Sequence, residues 1–243
     1  MDYIKDAIEV NKSALKKTIK SIKYLPIISL AIIIIVLAQG LGNVLVNYVS
    51  NIIPSRFLVE IILYIIEVIT LSILMSSLYA VIIGSRLTVK NFTDGWQRYI
   101  GPLMATRFIF WLIEYALGLL MISGPLIIVL SFIYTIFISN MLETIYIDGQ
   151  SGTNAVVSMV NFLKDNLIQW LPVAIITSIF MTYLNKRTRL LFVAIFDLKL
   201  LIPGIISIVV IAFIFIYKGH LYDILNDSSM RKRKFQGVFD RWE

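Results

Sequence analysis

Residues 26–46 read PIISLAIIIIVLAQGLGNVLV, twenty-one residues without one charged side chain. As a helix rising about 1.5 Å per residue, the run reaches across the ~30 Å hydrocarbon core of a bilayer. In hydrocarbon the backbone must satisfy its own polar groups, either within a helix or in a closed barrel. The run does not alternate and exceeds the roughly 10 residues of a barrel strand, so it reads as a helix.

Working outward, five more apolar runs follow: Phe57–Ile83, Leu103–Ile122, Pro125–Ile147, Ile168–Leu184 and Leu190–Tyr217. Asp197 and Lys199 interrupt the start of the last one, so the clean crossing begins near Leu201 and residues 190–200 lie along the outer interface. The expectation is an all-α, polytopic membrane protein of six transmembrane helices. Composition agrees: 58% of the 243 residues are hydrophobic and 15% charged, where soluble domains carry about a quarter charged. The mean hydropathy is +0.85.

Charge sets the expected orientation. With the N-terminus inside, seventeen Lys and Arg fall on the cytoplasmic side and five (Arg56, Lys186, Arg187, Arg189 and Lys199) on the other. Bases in short loops favour the cytoplasmic face, so both termini are expected there, at the plasma membrane. The excess of 22 Lys and Arg over 15 Asp and Glu is then explained by anionic lipid, and nucleic acid is not an expected partner. The charge-rich opening of 23 residues precedes an apolar run longer than a signal-peptide core, so it reads as a retained anchor.

Three domains follow: 1–23 as an amphipathic interfacial helix, 24–222 as a six-helix transmembrane domain, and 223–243 as a basic-aromatic cytoplasmic tail. In the first, Ile4, Ile8, Leu15, Ile19 and Ile22 share an arc of about 60°, with most lysines on its flank. Lys12, Lys16 and Lys20 are the expected headgroup contacts, as are Arg231, Lys232, Arg233 and Lys234 of the tail beside Phe235, Phe239 and Trp242. A second such stretch carries Phe92, Trp96 and Tyr99. A third carries Val156, Met159, Val160, Leu163 and Leu167 behind an N-cap expected at Thr153.

All six prolines, at 26, 54, 102, 125, 172 and 203, sit near the start of an apolar run, where a first-turn proline is tolerated. Three amphipathic stretches are followed by Leu25-Pro26, Gly101-Pro102 and Leu171-Pro172, the prolines being 76 and 70 residues apart. This spacing suggests a unit of amphipathic helix plus transmembrane hairpin used three times.

Four carboxylates lie in the spans, and an acid in hydrocarbon marks either a functional group or a paired one. Glu60 and Glu67 share one helix face with Tyr64 between them, and Glu67 and Glu114 lie at mid-span. Glu60, Tyr64, Glu67 and Glu114 are therefore the intramembrane polar-site candidates. Glu143 matches Arg107 in depth on the neighbouring helix, so Arg107 and Glu143 are expected to form a structural ion pair. Gln39, Asn43 and Asn47 form a polar stripe suited to holding helices together. The one histidine, His220, is expected to face headgroups or cap the last helix.

Catalytic signals are sparse. The chain lacks cysteine, HExxH, GxSxG and the GxxxxGK[ST] phosphate loop. No cofactor or metal is expected, and ATP-driven transport would need an ATPase on a separate chain.

The stretch Asn154–Asn166 followed by Trp170-Leu171-Pro172 resembles the cytoplasmic segment of a diffuse group of six-helix prokaryotic membrane proteins. That group includes the membrane domain of some glycerophosphodiester phosphodiesterases. The N-terminal helix and the segment from Phe92 to Pro102 fit the same plan. The chain has no soluble phosphodiesterase domain, so that activity does not transfer. A weaker likeness, through Asp148-Gly149 and Leu171-Pro172, is to permease subunits of binding-protein-dependent transporters, although their Glu-Ala-Ala loop opening is missing. The resulting expectation is a non-catalytic, permease-like or scaffold subunit that engages lipid and a cytoplasmic protein. The competing class is an intramembrane enzyme acting on a lipid-like substrate through Glu67 and Glu114.

Overall fold

The charge-rich N-terminus forms helix α1 (Asp2–Lys20), joined by a 3-10 turn at Ile22–Tyr24 to α2 (Leu25–Ile52) in the computed structural model. There follow α3 (Arg56–Ile82), α4 (Gln97–Leu119), α5 (Pro125–Ile138), α6 (Met141–Tyr146), α7 (Gly152–Ala194) and α8 (Leu198–Asp227). The backbone is described over residues 2–52, 56–84, 94–119, 125–194 and 198–228. Side chains are described over 4–46, 48, 61–84, 94–117, 129–179 and 202–228. The expectations for Glu60, Asn47, Phe92, the outer bases from Lys186 to Lys199 and the Arg231–Lys234 run lie outside these side chains.

The described residues are all-helical, as the apolar runs require. Among the described residues, five stretches are long and apolar enough to cross a membrane: Ile22–Val46, Ile61–Ile82, Gln97–Leu117, Val129–Tyr146 and Ile202–Asp227. The expected span at 168–184 lies inside α7, whose side chains are described only as far as Ile179.

Several boundaries differ from the sequence expectation. Pro102, Pro172 and Pro203 lie inside α4, α7 and α8, because the segment before each span is continuous with it. Pro125 opens α5 and Pro26 is the second residue of α2, as expected. In the 43-residue α7 the bend falls at Asn166 (φ −128°, ψ 16°), six residues before the proline. Its side-chain amide donates to the Phe162 carbonyl at 3.2 Å, occupying an acceptor that the bend disturbs. Helix α7 begins at Gly152, ahead of the expected Thr153 cap, and the Gly152 N–H donates to Thr106 Oγ1 at 2.9 Å. It also runs through residues 185–189, the expected outer loop, where no Gly or Pro stops it. Helix α8 continues ten residues past Tyr217, which puts His220 inside it rather than at its end.

The chain divides into two compact units. Unit 1 comprises Met1–Ile22, Gly101–Ile179 and Ile214–Glu243, and unit 2 comprises Lys23–Ile100 and Phe180–Phe213. Unit 2 is built on α2 against α3, with Ile28, Ala31 and Val36 buried from one and Leu74, Met75 and Leu78 from the other. The buried hydroxyls of Ser72 and Ser77 bond back to the carbonyls of Val68 and Ile73, so neither is left unsatisfied in an apolar setting. In the same unit Tyr99 is buried against Tyr79 (ring centroids 6.4 Å apart), and the Arg98 guanidinium lies over both rings. The described part of the second amphipathic stretch thus packs inward.

The core of unit 1 gathers Val10 and Ala14 of α1, Phe162, Trp170, Val173 and Ala174 of α7, and Leu221, Tyr222, Ile224 and Leu225 of α8. Phe162 stacks on Tyr222 at 4.3 Å, and Trp170 meets both rings edge-on at 5.2 and 6.0 Å. Offset and edge-to-face aromatic contacts of this kind are favourable beyond their buried area.

Candidate functional site

Helix α1 has three longitudinal sectors. One is packed: Asp6, Val10, Ala14, Thr18 and Ser21, spaced three or four apart, are all buried. The second is aliphatic and bare, with Ile4 at 65%, Ile8 at 62%, Leu15 at 42% and Ile19 at 55% exposed. The third holds Lys5, Lys12, Lys16 and Lys20, all exposed. A soluble amphipathic helix turns its aliphatic face to the core. Here the small and polar residues are turned inward and the aliphatic ones outward, as suits a helix whose second solvent is lipid.

Polar contacts clamp the packed side. Gln169 of α7 donates to Asp6 at 2.7 Å, and its carbonyl accepts from Asn11 at 3.3 Å. From α8, the Tyr217 hydroxyl donates to Asn11 Oδ1 and Asp223 pairs with Lys17 at 3.1 Å. His220 Nε2 and the Ser21 hydroxyl are 2.9 Å apart, both buried. His220 is therefore a docking group for the end of α1, which corrects its expected headgroup or capping role.

Next to the clamp, α8 presents Lys218, Tyr222 and Asn226 at i, i+4 and i+8, one face of the helix. Lys218 donates to the Ser139 carbonyl at 2.7 Å, lies 3.3 Å from Glu143 and faces the Trp170 ring at 5.7 Å. Ser139 and Asn140 form the break between α5 and α6, so the ammonium pins a point where the helical ladder is interrupted. The Trp170 N–H donates to Ser139 Oγ at 2.8 Å. The Tyr222 hydroxyl lies 3.1 Å from Thr144 Oγ1 and donates to Asp148 at 2.6 Å, and Asn226 donates to the other Asp148 oxygen at 2.7 Å. Burial raises the Asp148 carboxyl above its ordinary value, an effect the Tyr222 hydrogen bond opposes.

The expected Arg107–Glu143 ion pair is replaced by two other pairings. Arg107 bonds Glu114 at 2.8 Å, seven residues along the same helix, and Tyr134 of α5 donates to the same carboxylate at 2.6 Å. Glu143 turns instead to Lys218, whose place on α8 beyond the expected end of the last span hid it from a match by depth. Glu114 is thereby engaged within unit 1. Tyr64 and Glu67 are half-buried on α3 in unit 2, and neither is without a partner. Gln39 is half-buried and Asn43 exposed. Lys12, Lys16 and Lys20 are exposed on α1, as a headgroup role requires. Among the described residues, no three His, Asp or Glu side chains gather as a metal site.

Lys218, Ser139, Trp170, Tyr222, Asp148 and Gln169 were not singled out from the sequence as a site. The one available signal was the i, i+4, i+8 spacing of Lys218, Tyr222 and Asn226, which lay across the assumed boundary between membrane domain and tail. Comparison with protein-family models, curated proteins and solved structures finds no match.

Proposed function

We propose that this chain is a non-catalytic, multi-pass component of the plasma membrane, a permease-like or scaffold subunit that engages lipid and a cytoplasmic protein. In this reading it crosses the bilayer six times with both termini inside, and α1 with the hairpin after it is one of three repeated units. Any ATP-driven transport would use an ATPase on a separate chain. The likeness to the diffuse six-helix group supports the same plan.

The observation that carries the reading is α1 itself, clamped by polar contacts along one side while its aliphatic side stays bare. Such a helix anchors and positions. The enzyme reading relies on Glu114, one oxygen of which, Oε1, is engaged by both Arg107 and Tyr134.

The test is accessibility in intact cells. Single cysteines at Asn11, Gly95, Ser151 and Ser229 should be protected from an impermeant thiol reagent, and cysteines at Asn51 and Thr188 should be labelled. The chain has no cysteine of its own to interfere. Labelling at Gly95 or Ser151 in sealed cells would overturn the six-span orientation.

A further inference from the structure

The first half of α7 has the same three-sector build as α1. Ala155, Met159, Phe162 and Asn166 are buried and form its packed side. Val156, Val160, Leu163 and Leu167 share an arc of about 60° at the 3.6-residue period. Within that arc Val160 is 46% and Leu167 45% exposed, with Val156 and Leu163 half-buried. Asn161, Lys164 and Asp165 occupy the third sector, all exposed, with Val157, 57% exposed, among them. Going round either helix in the direction of increasing residue number, the aliphatic sector is followed by the polar sector and then the packed one. Each helix then meets a backbone irregularity, the 3-10 turn at Ile22–Tyr24 or the Asn166 bend, followed by an aromatic-Leu-Pro sequence, Tyr24-Leu25-Pro26 or Trp170-Leu171-Pro172.

The polar sectors differ in charge. On α1 the sector holds four lysines, Lys5, Lys12, Lys16 and Lys20, against one exposed acid, Glu9, and is strongly basic, whereas on α7 Lys164 is adjacent to Asp165 and the sector is close to neutral. An apolar strip flanked by bases is complementary to an anionic phospholipid surface, while a strip flanked by balanced charge responds to apolar burial alone.

We propose that α1 and the first half of α7 are two membrane-apposed helices with their aliphatic sectors at the headgroup–acyl boundary, and that α1 alone selects anionic phospholipid. This rests on the chain being a membrane component, and adds which faces meet lipid and which lipid charge they choose.

The test uses the full chain in nanodiscs of phosphatidylcholine, with or without phosphatidylglycerol. Spin labels are placed singly at Ile8, Leu15, Lys16, Val160 and Asn161, and accessibility to oxygen is compared with accessibility to a water-soluble nickel chelate. In discs with phosphatidylglycerol, labels at 8, 15 and 160 should favour oxygen, and those at 16 and 161 the chelate. Removing phosphatidylglycerol should move 8 and 15 toward the chelate and leave 160 unchanged. Replacing Lys12, Lys16 and Lys20 by Gln should weaken the phosphatidylglycerol preference about fivefold per lysine.

Chelate access at 8 and 15 in every lipid mixture would overturn lipid apposition of α1. Exclusion of both reagents there would also overturn it, in favour of a covering protein. Equal behaviour in the two mixtures would overturn the selection of anionic lipid, and chelate access at 160 would remove α7 from the proposal. Because the thiol-labelling pattern in cells depends only on the crossings, it separates failure here from failure of the membrane-component reading.

Discussion

Lys218 is the residue with the most to lose. Its ammonium is the ion-pair partner of Glu143, a side chain with no exposed surface whose carboxylate oxygens have no hydrogen bond among the described residues. Removing one member of a buried pair leaves the other charge uncompensated, at a cost of about 3–5 kcal/mol, whereas an apolar pair of similar volume is often neutral. Lys218→Met and Glu143→Met should therefore each lower unfolding stability in detergent by about 3–5 kcal/mol, and the double variant by much less than the sum. Additive losses in that cycle would show that the two charges do not stabilise one another.

Asp148 gives a pH dependence of known sign. Its folded-state carboxyl is raised, chiefly by burial, so the folded protein holds this proton more readily than the unfolded chain. The destabilisation is complete above the raised value and is relieved as pH falls through it toward the ordinary carboxyl range. Relative to Asp148→Asn, which cannot titrate, the parent protein should gain thermal stability on acidification across that window. A difference in melting temperature that stays constant from neutral pH to about pH 4 would contradict this, since the ordinary Asp value is about 3.9.

At the scale of elements, the α2–α3 pair rests on a close approach at Gly42. A Cβ built there would lie 2.8 Å from Ile66 Cδ1 and 3.6 Å from Leu63 Cδ2. Because the tighter neighbour is the far end of a flexible side chain, Gly42→Ala should be tolerated after a small shift of Ile66. Gly42→Leu cannot be accommodated in the same way and should cost about 1–3 kcal/mol by overpacking. Thermal unfolding of the two variants in one detergent decides the matter, and equal losses would mean that the helices do not approach closely there. The same scale explains the continuity of α4, α7 and α8 through their prolines. A proline removes one ladder bond and crowds the preceding turn, but an apolar run on its C-terminal side keeps the helix going because leaving it would expose backbone groups in hydrocarbon.

Across the whole molecule, each unit is assembled from segments distant in sequence, with α1 clamped to parts of α7 and α8 some 160 to 200 residues away. Hydropathy is a local property summed along the chain, so the helical class and most of the spans could be read from the sequence, as could the amphipathic character of α1. For the same reason, the lysines at 12, 16 and 20 were placed on an exposed side from their angular position alone. The sequence also showed that Arg107 and Glu143 each needed a partner, because an unpaired charge in hydrocarbon is costly. Only the tertiary structure decided which partners they have: Glu114 for Arg107 and Lys218 for Glu143. Pairing depends on helix ends, bends and rotations, and ending the last span at Tyr217, ten residues before α8 stops, was enough to leave Lys218 and His220 beyond its expected end. The direction in which α1 turns was likewise a tertiary decision. Its aliphatic arc is evident from the sequence, but the sector of Asp6, Val10, Ala14, Thr18 and Ser21 became the packed one because α7 and α8 supply Gln169, Tyr217, His220 and Asp223 to meet it.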